Sequence, residues 1–140
     1  MRLHCRCWRR QMARAGFVSS CRVHRCHLGS ERRLTPEVEL ALYRMAQEAL
    51  SNVARHARAS HVSLTIAFAS QAVTMTIADD GQGFQVPASP AEFAPQGHYG
   101  LLGLHERADL IGARLDIQSS PGQGTRVIVQ LPASKPSARM

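Results

Sequence analysis

Aromatic residues make up only 5% of this 140-residue chain, and no apolar run approaches the roughly 18 residues that span a bilayer. Acidic residues are nearly missing from positions 1–33, which hold nine arginines and a single acid, Glu31. Residues 34–140 hold eight basic and nine acidic residues, so the net charge of +7 belongs to one end. The short apolar runs argue against a membrane span. The few aromatic residues and the near-neutral charge of residues 34–140 argue against a nucleic-acid interface, which needs basic residues interleaved with aromatics on the folded part.

Cysteine is absent beyond position 26, and the spacings of the four that exist are C-x-C (Cys5, Cys7) and C-x4-C (Cys21, Cys26). These spacings match the C-x2-C pairs of zinc sites poorly, so we favour reduced thiols over a metal centre. The Arg-rich start also resembles an organelle transit peptide. We favour the alternative that these residues begin the folded domain, with a basic helix over 2–15 and a strand over 17–26.

A long amphipathic helix is predicted from Thr35 to about Ala57. Thr35 is a suitable N-cap, Pro36 suits the first helical position, and acidic residues follow in the first turn. Apolar residues then recur at spacings of three and four, which is the core stripe of a helix.

The rest of the chain predicts two hairpins, a loop and a second helix. Alternation over 61–68 and 73–77, and again over 115–117 and 127–131, indicates strands with one buried face. Residues 85–99 carry three prolines, so we expect a loop there, followed by a helix over about 100–111 and a frayed tail from 133 to 140. We expect an α/β domain over 35–132, with residues 1–34 as its start and its helices on one face of a mixed sheet.

Polar residues lie beside the apolar stripe of the long helix. Glu48 and Asn52 are four residues apart and so share one helix face, where a carboxylate and an amide could hold hydrated Mg²⁺. Arg55 and His56, one turn further, could contact phosphate. Taken alone, the same residues also fit an ordinary solvated helix face.

Three glycine-rich turns follow. Asp79, Gly81 and Gly83 end a predicted strand, where the glycines let a flat ligand approach and the carboxylate can accept a hydrogen bond from an exocyclic amine. Residues 97–104 run from glycines into a helix start, which suits an anion. That stretch lacks the Lys-Ser/Thr pair of a Walker A loop. Residues 122–125 form a turn that taken alone is an ordinary hairpin connection.

Together and in order, these motifs resemble the N, G1, G2 and G3 boxes of the ATPases that include DNA gyrase B, the Hsp90 chaperones, sensor histidine kinases and MutL. The matching segments are Glu48-Ala-Leu-Ser-Asn52, Asp79-Asp-Gly-Gln-Gly83, Gly100-Leu-Leu-Gly103 and Gly122-Gln-Gly-Thr125. The stretches 47–59 and 97–108 are similar to the kinases related to nitrate and degradative-enzyme sensors. The resemblance covers residues 35–132 and implies a two-layer α/β sandwich.

The resemblance also implies a role for each residue. Asn52 would be the Mg²⁺ ligand and Glu48 would orient water or the attacking group. Asp79 would bind the adenine amine, supported by Thr125, with Gly81 and Gly83 shaping that wall. The phosphates would lie near Arg55, His56, His98, Gly100, Leu101 and Gly103, under an ATP lid formed by residues 85–99.

The implied activity is transfer of the γ-phosphoryl group of ATP to a histidine. The partners would be a dimerisation domain that bears this histidine and a response regulator, with a cytoplasmic location in a kinase that can be membrane-anchored. No such dimerising hairpin fits residues 1–34, so we expect a truncated kinase that does not phosphorylate itself. A serine kinase of the anti-sigma-factor type and a hydrolase of the gyrase or MutL type remain as alternatives.

Overall fold

In a computed structural model, the chain is described over residues 21–26, 34–92 and 99–132. Five strands form one mixed sheet in the order β1-β2-β3-β5-β4. The strands are β1 (Cys21–Cys26), β2 (Val62–Phe68), β3 (Ala72–Asp79), β4 (Arg114–Ser119) and β5 (Thr125–Pro132). Strand β1 runs parallel to β2, and every other neighbouring pair is antiparallel. The helix predicted over 2–15, the strand residues 17–20 and the tail 133–140 lie outside the described residues.

Helix α1 (Pro36–Asn52) begins where the sequence predicts, with the Thr35 hydroxyl accepting a hydrogen bond from the amide of Val38 at 3.4 Å. Its last turn differs, because Val53–Ala57 forms a π turn, closed by Arg58 in the left-handed conformation at φ 50°. The α1 side chains that face the sheet are buried: Leu42, Met45, Ala46, Ala49 and Leu50. Since this stripe covers the sheet, most of the stability of the helix comes from packing rather than propensity.

The sheet buries one face, as alternation predicts. Cross-strand rows of apolar side chains run from β2 through β3 to β5; one row is Leu64, Ile77 and Val127. The next row continues toward one end of the sheet and contains Val62, Asp79 and Thr125. Two polar side chains therefore end the inward face of β3 and β5, under the helices.

Helix α2 (Tyr99–Leu110) lies on the same face as α1 and buries Leu101, Leu104 and Ala108. It ends where the sequence predicts, at Gly112, whose φ is +67°; here the amide of Ala113 donates to the carbonyl of Ala108 at 2.9 Å. Both helices cover one face of the sheet, which makes the domain a two-layer α/β sandwich.

The segment predicted as a loop over 85–99 contains regular structure at two points. A 3-10 turn spans Pro90–Glu92, closed by the amide of Glu92, which donates to the carbonyl of Ser89 at 3.1 Å. Helix α2 begins at Tyr99, one residue before the predicted start of about 100. The described residues 85–92 otherwise contain no helix or strand, which agrees with the predicted loop, and residues 93–98 lie outside the described residues. The prolines that favoured a loop are compatible with a short 3-10 turn, which begins at one of them.

No helix within residues 34–92 and 99–132 combines the length and apolar character that crossing a bilayer requires.

Candidate functional site

A cleft of about 470 Å³ opens between the end of α1, the start of α2 and one end of the sheet. Nine residues predicted for the site line it: Glu48, Asn52, Arg55, His56, Asp79, Gly83, Gly100, Leu101 and Thr125. Apolar side chains of Ile77 and Val127 form part of its sheet side. The cleft therefore combines an apolar surface with a few polar groups, which is the usual composition of a small-molecule site.

Glu48 and Asn52 form the helix wall, as their spacing of four residues predicts. The start of α2 lies against both, because a Cβ atom at Gly100 would lie 2.3 Å from Glu48 Oε1 and 3.2 Å from the Asn52 amide group. Only a residue without a side chain fits there without displacing the carboxylate. Glu48 Oε1 also lies 3.7 Å from a guanidinium nitrogen of Arg55, which is mostly exposed.

The π turn carries Arg55 and His56 to the edge of the cleft. A π turn widens the helix, and such turns are frequent at functional sites. Its closing carbonyls are held by the loop that follows β3: Gln82 donates from its backbone amide to the Ala57 carbonyl at 2.7 Å and from its side chain to the His56 carbonyl at 2.5 Å. The basic turn is thereby fixed to the sheet end.

Asp79 is the polar group of the sheet wall. One carboxylate oxygen accepts a hydrogen bond from the amide of Gly81 at 2.8 Å. Burial raises the pKa of Asp79 above its ordinary value of 3.8, while hydrogen bonds from the backbone of Gly81 and Thr125 partly oppose that rise. The carboxylate is thus a desolvated acceptor facing a cleft.

Hydroxyl groups brace the sheet wall behind Asp79. The Ser119 hydroxyl donates to the carbonyl of Gly124 at 2.8 Å and lies 2.9 Å from the Thr125 hydroxyl. The same oxygen accepts a hydrogen bond from the amide of Phe84 at 2.9 Å. These bonds tie the loop after β3 to the β4–β5 turn, so both glycine-rich turns are fixed together.

Asp80 lies next to Asp79 but has a different role. It accepts hydrogen bonds at 2.8 Å from the amides of Ser60 and His61, and its second oxygen lies 3.1 Å from His61 Nδ1. The backbone hydrogen bond from His61 is the main reason that the pKa of Asp80 falls below its ordinary value. Asp80 therefore holds the loop before β2 in place.

Two of the described residues that were predicted for the site, Gly81 and Gly103, do not line the cleft. Gly81 lies behind it, packed so closely on the π turn that a Cβ atom would lie 2.2 Å from the Ala57 carbonyl oxygen. Gly103 lies further along α2, where the nearest atom to an added Cβ would be Arg107 Nη1 at 3.6 Å. His98 lies outside the described residues.

Sequence reasoning missed Gln82 and Phe84, which both line the cleft. Gln82 lies between the two glycines of a turn, and its role depends on carbonyls that are 25 and 26 residues away. The one available signal for Phe84 is its position directly after the glycine-rich turn, where an apolar side chain can return to the core.

Residues 37–135 match the family described as histidine kinase-, DNA gyrase B-, and HSP90-like ATPase. The chain therefore belongs to this ATPase family, as the four ordered motifs predicted.

Its relatives include sensor histidine kinases. The chain is 37% identical over 106 residues to the signal transduction histidine-protein kinase/phosphatase DegS of Brevibacillus brevis, which is 76% of this chain and 26% of that protein. It is 37% identical over 95 residues to the sensor histidine kinase LiaS of Bacillus subtilis, covering 68% of this chain and 25% of that protein. The chain thus spans about a quarter of the length of these relatives.

The fold agrees with that of a solved histidine kinase domain. The domain from the blue-light activated histidine kinase of Erythrobacter litoralis superposes with a TM-score of 0.66 at 21% identity, covering 86% of this chain and 57% of that one. This match shows the shared fold, a two-layer α/β sandwich.

Proposed function

We propose that the cleft binds ATP with Mg²⁺, and that the domain donates the γ-phosphoryl group to a histidine on a dimerisation domain outside these 140 residues. The observation that carries this proposal is the position of Asp79, a desolvated acceptor on the sheet wall, in the same cleft as Glu48 and Asn52 on the helix wall. Arg55 on the π turn lines the same cleft. Asp79 suits an adenine amine, and the groups on the opposite side of the cleft suit phosphates with a cation.

The helix wall fits Mg²⁺ as a cation that is shared with a nucleotide. The Asn52 amide and the Glu48 carboxylate are oxygen donors on one helix face, and Mg²⁺ in phosphoryl-transfer sites takes one or two protein ligands with phosphates and waters. Within residues 34–92 and 99–132, no three His, Cys, Asp or Glu side chains form a metal cage. When bound, Mg²⁺ would neutralise phosphate charge, and Asn52 would hold it.

Phosphoryl transfer is catalysed mainly by positioning the reacting groups. An imidazole nitrogen of the acceptor attacks the γ-phosphorus, the bond to the β–γ bridging oxygen breaks, and ADP leaves. Glu48 orients the attacking imidazole from the helix wall. Arg55 offsets phosphate charge from the π turn, and His56 can donate a hydrogen bond to phosphate from the same turn. A response regulator then receives the phosphoryl group.

Histidine is favoured over serine as the acceptor because the relatives named above are histidine kinases. Phosphotransfer from labelled ATP to a supplied histidine-bearing helical hairpin, compared with a serine-bearing partner protein, separates the two acceptors. Acid-labile label on the hairpin is the expected result.

Nucleotide preference tests the adenine site. We expect calorimetry to show Mg²⁺-dependent binding of ATP and ADP, with GTP bound at least about 10-fold more weakly, the equivalent of one hydrogen bond to a charged group. Guanine presents a carbonyl where adenine presents its amine, so the Asp79 carboxylate would face a second acceptor. Equal affinities for ATP and GTP would overturn the role of Asp79.

Gly100→Ala should lower the rate of phosphotransfer without destabilising the fold. The added methyl group would displace the flexible end of Glu48, so we expect phosphotransfer to fall about 10- to 100-fold, as small misplacements do. The melting temperature should be unchanged or higher, since alanine favours a helix by roughly 0.5–1 kcal/mol over glycine. Gly103→Ala adds the same methyl in ordinary contact and serves as the comparison. Equal transfer rates in the two variants would contradict the steric role of Gly100.

A further inference from the structure

Gln82 makes hydrogen bonds to two other segments that line or support the cleft. Its backbone amide donates to the carbonyl of Ala57, at the end of the π turn, at 2.7 Å. Its backbone carbonyl accepts from the amide of Gly122, in the β4–β5 turn, at 2.6 Å. Its side-chain amide donates to the carbonyl of His56 at 2.5 Å, and the residue itself lines the cleft.

The carbonyls that Gln82 contacts need partners from outside the helix. The chain leaves the π turn at Arg58, whose φ of 50° ends the helical hydrogen-bond pattern. The last carbonyls of any helix lack an internal donor, and they must be satisfied by other groups. Gln82 supplies a donor to each of the last two, those of His56 and Ala57, so it fixes the backbone that carries Arg55 and His56.

We infer that the Gln82 side chain is a positioning residue for the phosphate end of the nucleotide site. It acts through the His56 carbonyl, which keeps the π turn, and with it the side chains of Arg55 and His56, directed at the cleft. This inference rests on the proposed function, because it assigns the π turn to phosphate binding. It adds a residue whose contribution comes from its length and its donor group.

Gln82→Met in the full chain tests the inference, since methionine matches glutamine in length but donates no hydrogen bond. The backbone bonds to Ala57 and Gly122 remain available to this variant. We expect ATP affinity to fall about 3- to 10-fold, the effect of one neutral hydrogen bond. AMP lacks the outer phosphates, so its affinity should change less than about 2-fold. Gln130→Met, at an exposed position on β5 away from the cleft, should leave both affinities unchanged.

A variant that lacks the Arg55 and His56 side chains shows whether Gln82 positions those side chains or contacts the nucleotide directly. In a chain that already carries Arg55→Ala and His56→Ala, Gln82→Met should change ATP affinity by less than about 2-fold, because the side chains through which it acts are gone. A full, additive loss in that background would show that Gln82 contacts the nucleotide itself and would overturn the inference.

The remaining outcomes are also decisive. An equal loss for ATP and AMP, or no loss for either, overturns the positioning role while leaving the nucleotide site intact. Absence of ATP binding by the unmodified chain would instead overturn the proposed function. Thermal melts of each variant check folding, and Gln82→Met should melt within about 3 °C of the unmodified chain, as expected for an exposed substitution.

Discussion

Asp79→Asn should lower ATP affinity about 10- to 100-fold, the cost of removing a hydrogen bond to a charged acceptor. The amide of asparagine has one acceptor oxygen, which the Gly81 amide already engages in the present geometry. Its NH₂ group would then face the adenine amine, donor against donor. The same NH₂ group could donate to the guanine carbonyl, so the preference for ATP over GTP should narrow. Calorimetry with both nucleotides measures the change.

The thermal stability of Asp79→Asn should stay the same or rise, although its affinity for ATP falls. Burial raises the folded-state pKa of Asp79 above 3.8, so the folded state holds the proton more tightly than the unfolded state does. The neutral carboxyl therefore favours folding at low pH, and that contribution is lost as the pH rises through the raised pKa. Asparagine stays neutral, so Asp79→Asn should melt at the same or a higher temperature at pH 7.

The pH dependence of nucleotide affinity supplies an internal control. In the unmodified chain, ATP affinity should fall as the pH drops through the raised pKa of Asp79, because the protonated carboxyl loses acceptor capacity. Asp79→Asn should lack that component. A variant that loses both affinity and several degrees of melting temperature would show that Asp79 is chiefly structural.

Asn52→Ala should reduce Mg²⁺-dependent phosphotransfer by about 100-fold or more, because ligation of the cation supplies several kcal/mol of charge stabilisation. The side chain is partly exposed and belongs to no buried stripe, so the core should stay packed. Transfer of labelled phosphate to a supplied acceptor domain, titrated with Mg²⁺, measures the first effect. Thermal melts without ligand measure the second.

Ser51→Ala is the matched control, because Ser51 precedes Asn52 on α1 and does not line the cleft. It should leave both the transfer rate and its dependence on Mg²⁺ unchanged. A large drop in melting temperature with transfer intact in Asn52→Ala would mean that Asn52 supports the fold instead of the cation.

The parts of this domain that the sequence predicts are those with a local cause. The start of α1 follows from Thr35 and Pro36, and its buried face follows from helical spacing. The convergence of Asp79 and Thr125 follows from alternation, once β3 and β5 are paired. The four motifs then identify the cleft, because each lies at the end of an element that the pattern defines.

The rest depends on contacts between distant segments. Nothing in Val53–Ala57 marks a π turn, since its closing carbonyls are satisfied by Gln82 from the far side of a hairpin. The division of labour between Asp79 and Asp80 is equally invisible in sequence. Two adjacent carboxylates differ because successive strand-end residues point in different directions, one into the cleft and one toward Ser60 and His61.

Strand β1 matters for how the domain behaves if it is shortened. The family match begins at residue 37, so trimming the chain to that match would remove Cys21–Cys26 and leave Val62–Phe68 with an unpaired edge. That stretch reads Val-Ser-Leu-Thr-Ile-Ala-Phe: it has no charge, proline or glycine, which is the composition of segments that add to a second copy and aggregate. Because β1 occupies that edge, we expect the full chain to self-associate less than a chain trimmed to residues 37–135.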